Sequence, residues 1–361
     1  MSTAMTPAAS SARTHLGQRR TAAALVTGAG GEMGHALLRA LAEQGGRAVV
    51  ALDIRELDGP ARNHCDASFA GDICDESLLS RLLGQYEIGE IYHLAALLST
   101  RGEFVPEAAH QVNVVGTLNL LKLAADEARS RGTTVQFFFP SSIAVYGLPS
   151  LEAKRRAGVV KEEQFLEPVT MYGCSKLAGE QLGRYYERHY RLLAQDRMER
   201  PVDFRSIRFP GIISADTLPS GGTSDFGPEM VHAAAQKKPY ACFVREDARI
   251  PFMTMPEAVG AALSLMSAPK ESLTRIVYNI SSFAPSAGEF ADMVRREFKG
   301  AKISFEVDER RQAIVDSWPE GIEDSAARTD WGWKPGHSAS SALKQYLVPR
   351  IRARYAVSSP K

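Results

Sequence analysis

The stretch Ala22-Ala23-Ala24-Leu25-Val26-Thr27-Gly28-Ala29-Gly30-Gly31-Glu32-Met33-Gly34 decides the fold. A short apolar run stops at a glycine-rich turn. Helical spacing follows through Ala36, Leu37, Ala40 and Leu41, and a second apolar run over residues 48–53 ends on an acid. Strand, turn, helix and strand make a βαβ unit. Gly28 permits the tight bend, Gly31 lets backbone amides approach a pyrophosphate, and Gly34 lets helix and strand pack closely. The helix N-terminus then faces the negative charge. A glycine cluster in a loop is the bland alternative, but this one follows a strand and opens a helix. Asp53 comes nineteen residues after Gly34, where an acid accepts hydrogen bonds from ribose hydroxyls and repels a 2′-phosphate. The expected cofactor is therefore NAD rather than NADP. Glu32 is awkward in such a turn, since its carboxylate repels a pyrophosphate unless it points to solvent.

The alternation continues downstream. Residues 69–73, 90–96, 135–142 and 202–208 read as further strands, with helical segments between them, including a long one over 170–190. Continuous apolar strands alternating with helices mean a parallel sheet covered on both faces, a Rossmann-type doubly wound α/β fold. The dinucleotide-binding domain is expected over residues 21–210. After Pro210 the pattern becomes irregular, and 211–348 reads as a smaller mixed α/β substrate domain. Short strands are expected at 275–280 and 302–307, with part of 251–279 returning to the main sheet. Residues 349–361 read as a tail. The polar stretches 152–163 and 192–200 read as surface insertions.

The second chemical signal is Tyr172-Gly173-Cys174-Ser175-Lys176. It sets a phenol and an ammonium one helical turn apart, so both face one ligand. A free tyrosine has a pKa of about 10 and is a poor base at neutral pH. A nearby ammonium and a positive nicotinamide ring favour the phenolate, and the lysine can also hold ribose hydroxyls. Tyr-x-x-x-Lys arises often by chance on helix surfaces. Here Ser142 ends a predicted strand thirty residues earlier, and its hydroxyl can bind the reacting oxygen.

Composition sets outer bounds. The 361 residues are 44% hydrophobic and 24% charged, which is ordinary globular usage with a full core. A net charge of +1 gives no reason to expect nucleic acid or a membrane surface as partner. Cys65, Cys74, Cys174 and Cys242 are scattered without a Cys-x-x-Cys pair, which reads as reduced thiols in a cytoplasmic setting. No His-x-x-x-His spacing occurs, so no metal is expected. Residues 1–20 are rich in Ser, Thr and Ala, carry Arg13, Arg19 and Arg20, and lack acids. They read as a disordered leader, or alternatively as a mitochondrial presequence.

The layout resembles the extended short-chain dehydrogenase/reductase superfamily, which contains the nucleotide-sugar epimerases and dehydratases. Asp72-Ile73, Leu94-Ala95-Ala96 and Asn113-Val114-Val115-Gly116-Thr117 match its adenine, backbone-lining and support segments. In the sugar-nucleotide enzymes the segment after the sixth strand reads Arg-x-x-Asn-x-x-Gly. Here it is Arg208-Phe209-Pro210-Gly211-Ile212-Ile213-Ser214, without the Asn that serves a diphosphate. Residues 93–99, 140–147, 210–214, 221–225, 316–319 and 330–333 are similar instead to the short-chain-type L-threonine dehydrogenases.

That resemblance implies NAD-dependent oxidation of L-threonine by a homodimer, with Tyr172, Lys176 and Ser142 as catalytic residues. It implies a cofactor site of Gly28, Gly31, Glu32, Met33, Gly34, Asp53 and Ile54 around the turn. Asp72, Ile73, Leu94, Ala95, Ala96, Asn113, Ser141, Pro210 and Ile212 join Tyr172 and Lys176 to complete it. Ser99, Ser142, Tyr172, Thr223, Asp225 and Trp318 are the implied substrate contacts. Each has a bland alternative: Ser99 as a cap, Thr223 and Asp225 as turn residues, Trp318 as core. Arg310, Arg311 and Gln312 read as structural or as a solvated rim, with one Arg reaching a carboxylate as the alternative. An epimerase, and a non-catalytic NAD-sensing regulator on the same fold, are the two rival readings.

Overall fold

Seven parallel strands carry the molecule. The computed structural model describes residues 20–219 and 221–357. The strands are β1 (Thr21–Thr27), β2 (Ala48–Asp53), β3 (Ala67–Ala70), β4 (Tyr86–His93), β5 (Val135–Ser142), β6 (Val202–Phe209) and β7 (Val277–Asn279). Across the sheet they run 3-2-1-4-5-6-7. The main helices are α1 (Glu32–Gln44), α2 (Gly116–Arg131), α3 (Met171–Arg188), α4 (Phe226–Ala235), α5 (Met255–Ser267) and α6 (Glu309–Ser317). The strand order reverses between β1 and β4, and in such sheets the crevice beyond the strand ends at that point takes the ligand. The register lines those ends up, since Thr27 pairs with Leu52 on one side and His93 on the other.

Burial on both faces explains the unbroken apolar runs. Every residue of β6 is buried, including Asp203, Arg205 and Arg208. Buried charges need partners. Arg205 donates to Asp203 at 2.6 Å and to the Leu265 carbonyl at 2.6 Å, and Lys270 reaches Asp203 at 2.7 Å. One face of the sheet packs against α1 and α5 through Leu37, Leu41, Ala258 and Leu265. A separate cluster around Phe226, Phe252, Phe290, Trp318 and Leu347 forms the body beyond β6, and Ile143 to Tyr146 belong to it. The parallel pair Tyr240–Cys242 and Ile303–Phe305 lies in this body, while β7 returns to pair with β6.

Four expectations need correction. The third strand occupies Ala67–Ala70 rather than 69–73, because the Asp72 carboxylate accepts from Cys74 N at 2.9 Å and turns the chain. The fourth ends at His93, before Leu94 to Ala96, which peel away past the glycine turn. Residues 152–163 are no surface insertion: Lys154 is 1% exposed and donates to the Val315 carbonyl at 2.9 Å, and Val159–Val160 pairs with Gly321–Ile322. The expected tail begins as a helix, Val348–Val357, with Ile351 fully buried. The leader lies outside the described residues except for Arg20, which bonds Glu127 at 2.8 Å.

Candidate active site

The glycine turn is built to lack side chains. Gly28 has φ +68°, and a Cβ there would lie 2.5 Å from Ala95 N. A Cβ at Gly34 would lie 2.5 Å from the carbonyl oxygens of Gly28 and Ala29. Gly31 caps α1 without any side-chain bond to the first-turn amides, which leaves that helix end open to an anion. These cradles fit a pyrophosphate, and the backbone of Leu94 and Ala95 packs directly against Gly28. Asp53 holds the turn, accepting from Gly30 N at 2.9 Å and Arg55 N at 3.2 Å. Ile54 next to it is exposed, an apolar surface suited to a flat base. Ile73 is buried against Gly116, with Asp72 just before it.

Glu32 keeps an exposed surface, yet its carboxyl lies against the Thr217 hydroxyl. Partial burial raises its pKa and the charge of Asp225 adds to that, while Thr217 opposes it. The glycine turn and the loop ahead of α4 therefore meet across the cleft.

Helix α3 carries the phenol and the ammonium. Thr170 starts it by accepting from Gly173 N at 3.1 Å. Gly179 and Gly183 let it rest directly on the rings of Phe139 and Phe204. Tyr172 is half-buried and its hydroxyl lies beside Ser142, whose Oγ accepts from Ala144 N at 3.2 Å. Lys176 is buried, with Nζ 4.7 Å from the centre of the Phe139 ring and 5.5 Å from that of Tyr172. Burial pushes the Tyr172 phenol up to about 12, against the hydrogen bond from Ser142. Burial also pushes Lys176 down to about 7, against the charge of Glu180. In the protein alone, desolvation is the largest influence on both groups.

Two residues assigned to the cofactor are occupied elsewhere. Asn113 is buried and gives both ends of its amide to Leu97, accepting from its N at 2.7 Å and donating to its O at 2.9 Å. Ser141 donates to Glu180 at 2.5 Å. These bonds tie neighbouring elements of the site's framework together. Pro210 and Ile212 follow β6, where Gly211–Ile213 pairs with Phe252–Thr254.

The residues assigned to the substrate converge in part. Ser99 opens the short helix Ser99–Phe104 behind an uncapped Leu98, so it is no cap. The adjacent Thr100 donates to the Gly221 carbonyl at 3.1 Å, bringing this helix to the loop of Thr223 and Asp225. Thr223 is buried, and Asp225 accepts from Gly222 N at 2.7 Å. Trp318 is buried in the core body, with its indole N–H lacking a partner among the described residues.

Sequence reasoning missed the support beneath this site. His93 Nδ1 lies 2.8 Å from Thr27 Oγ1, and its Nε2 lies 2.9 Å from Thr117 Oγ1. Thr117 donates to Asn113 O at 2.6 Å, so its lone pairs face the histidine and fix the Nε2–H tautomer. Glu180, one turn past Lys176, accepts from Arg208 at 2.8 and 2.7 Å, and both side chains are buried. Arg208 also donates to Tyr146 Oη at 2.9 Å. The only signal available was an acid at i+4 from Lys176, which sequence spacing alone reads as a solvated pair.

The comparisons agree with this geometry. Residues 24–281 match the NAD dependent epimerase/dehydratase family. A mitochondrial L-threonine 3-dehydrogenase of Bos taurus is 35% identical over 312 residues, covering 86% of this chain and 78% of its own. The solved GalE-like L-threonine dehydrogenase of Cupriavidus necator, in its holo form, superposes with a TM-score of 0.79 at 36% identity, over 92% of this chain and 99% of that one. A monomeric L-threonine 3-dehydrogenase from a metagenome, in its apo form, gives 0.79 at 35% identity over 92% and 99%. A glycine cradle, an acid closing β2 and a Tyr172–Lys176 pair beside Ser142 thus occur in a chain that belongs to the NAD-dependent epimerase/dehydratase family.

Proposed function

We propose that this protein is an NAD-dependent L-threonine 3-dehydrogenase that oxidises L-threonine to L-2-amino-3-oxobutanoate. The observation that carries the reading is the grouping of Tyr172 beside Ser142, with Lys176 one turn on and its Nζ 5.5 Å from the Tyr172 ring, and a loop bearing Thr223 and Asp225 facing the glycine turn. Relatives named for this reaction, at 35 and 36% identity, support it.

NAD, when bound, supplies the hydride acceptor for the substrate's hydroxyl carbon. Tyr172 takes the hydroxyl proton, directly or through Ser142, and Ser142 holds that oxygen as it becomes a carbonyl. The phenol begins near 12, so positive charge entering with the ligands has to bring it down. Lys176 supplies part of that charge once its ammonium is stabilised. Ser99 and Thr223 offer hydroxyls to the amino acid, and Asp225 attracts its ammonium. Gly28, Gly31 and Gly34 receive the pyrophosphate, and Asp53 the ribose.

Residues 21–210 with β7 form the dinucleotide half, and 211–348 the substrate half. We place the protein in the cytoplasm, a reading supported by four free cysteines. Among the described residues no helix is long and apolar enough to cross a membrane. The homodimer is carried over from the resemblance to the short-chain-type L-threonine dehydrogenases, and the mass of the purified protein in solution tests it.

The test is a substrate panel followed by NADH absorbance. L-Threonine should turn over and L-serine much less, since one methyl contributes about 1–3 kcal/mol, and UDP-glucose and UDP-galactose should not interconvert. UDP-sugar epimerisation without threonine oxidation refutes the proposal.

A further inference from the structure

Arg311 is unlike its neighbours in the Arg310-Arg311-Gln312 run. It lies in the first turn of α6, where the Asp308 carboxylate accepts from Arg310 N at 3.0 Å and Arg311 N at 3.2 Å. Its guanidinium does not face solvent alone. Nη2 donates to the Gly222 carbonyl at 2.7 Å and the Gly221 carbonyl at 3.1 Å. The carbon between the nitrogens lies 3.3 Å from the centre of the buried Phe243 ring. A planar cation is thus stacked on one side and used as a donor at its edge, a combination lysine cannot reproduce.

The two carbonyls converge because Gly221 takes φ +81°, a conformation open to glycine. Other bonds fix the same loop. Thr100 donates to the Gly221 carbonyl at 3.1 Å, and Asp225 accepts from Gly222 N at 2.7 Å. Three segments therefore meet at the Gly221 and Gly222 peptides: the Ser99 helix, the loop of Thr223 and Asp225, and α6, which ends at Trp318. These three segments hold the candidate substrate contacts contributed from outside the Tyr172–Ser142 pair.

We infer that Arg311 is a positioning residue for the amino-acid site, holding the 221–225 loop so that Thr223 and Asp225 face the substrate. This rests on the proposed threonine reading, but its physical core, the anchoring of the loop, does not. The cation reaches the loop through two peptide carbonyls while resting on Phe243 and facing the charge of Glu229, all on the 221–243 side, so it should set substrate affinity more than dinucleotide affinity.

Arg311→Met is the direct test, with Arg311→Lys as a partial rescue. Losing charge-assisted bonds to the loop should raise the KM for L-threonine about tenfold or more, with a smaller fall in kcat. The Kd for NAD in the absence of amino acid should stay within about twofold of wild type. Hydrogen exchange at residues 221–229 should quicken in Arg311→Met, a change that a role in α6 alone would not produce. An unchanged threonine KM, an equal loss of NAD affinity, or unchanged exchange in the loop overturns the inference. If Arg311→Met does not fold, Thr100→Val tests the same carbonyl from the opposite side and should raise the threonine KM in the same direction; no change there also overturns it. A wild-type protein inert toward L-threonine would sink the functional reading alone, and the exchange experiment would still decide whether Arg311 holds the loop.

Discussion

The burial of His93 should make this protein lose stability as the pH falls below about 6.5. The ring is 1% exposed, between two threonine hydroxyls and near Phe137 and Phe139, with centroids 6.0 Å away. Burial, reinforced by the charge of Lys176, lowers its pKa from 6.5 to about 3. The unfolded chain therefore binds the proton more tightly than the folded one. The contribution to stability is complete above pH 6.5 and is lost as the pH falls toward 3. Between pH 7.5 and 5 the loss depends only on the unfolded pKa, because the folded ring is still neutral; it amounts to about 2 kcal/mol. The perturbation is His93→Gln, which keeps a neutral side chain able to donate and accept. Urea unfolding of both proteins at pH 7.5 and 5.0 gives a double difference in which the cost of the substitution itself cancels. Wild type should lose about 2 kcal/mol more than the variant over that interval. A double difference below about 0.5 kcal/mol would mean that the histidine is charged, or solvated, in the native protein.

Tyr172→Phe should lower kcat by about 10²–10⁴-fold while NAD still binds, since only the phenol's proton chemistry is removed; near-normal turnover in the folded variant refutes the assigned role. Asp53 should make kcat/KM higher with NAD than with NADP, because its carboxylate would meet a 2′-phosphate as a like charge. Equal or better efficiency with NADP in steady-state kinetics would show that Asp53 does not receive the ribose.

The parts of this fold legible in the sequence are those where one local pattern decides the outcome. Residues 48–53 and 135–142 read correctly to the residue because apolar runs with turn formers at their ends leave no other register. The glycine turn was legible because Gly28 and Gly34 answer a steric demand of the chain itself. Residues 152–163 were misread because polarity was taken for solvent exposure. Lys154 is buried since the far-off Val315 carbonyl meets its ammonium, a pairing across 161 positions that no spacing reveals. The same holds for Glu180 and Arg208, twenty-eight residues apart, which make a buried ion pair from two side chains that composition places on the surface. Asn113 and Ser141 were located in the right neighbourhood, but their direction was set by partners on other elements.

The bare stripe of α3 has a consequence for how this site can change. With glycine at 179 and 183, the helix lies flush on Phe139 and Phe204, so Tyr172 and Lys176 are registered to β5 and β6 without an intervening layer of adjustable side chains. The reacting half is in effect machined onto the sheet. The 221–225 loop proposed to recognise the substrate is tied to Arg311 and Thr100 by a few hydrogen bonds to peptide groups. New substrates should therefore be reached by rewriting residues 221–225 and their two anchors, with the chemistry carried along unaltered. Variants that refill the glycine stripe should instead lose the reaction with every substrate at once.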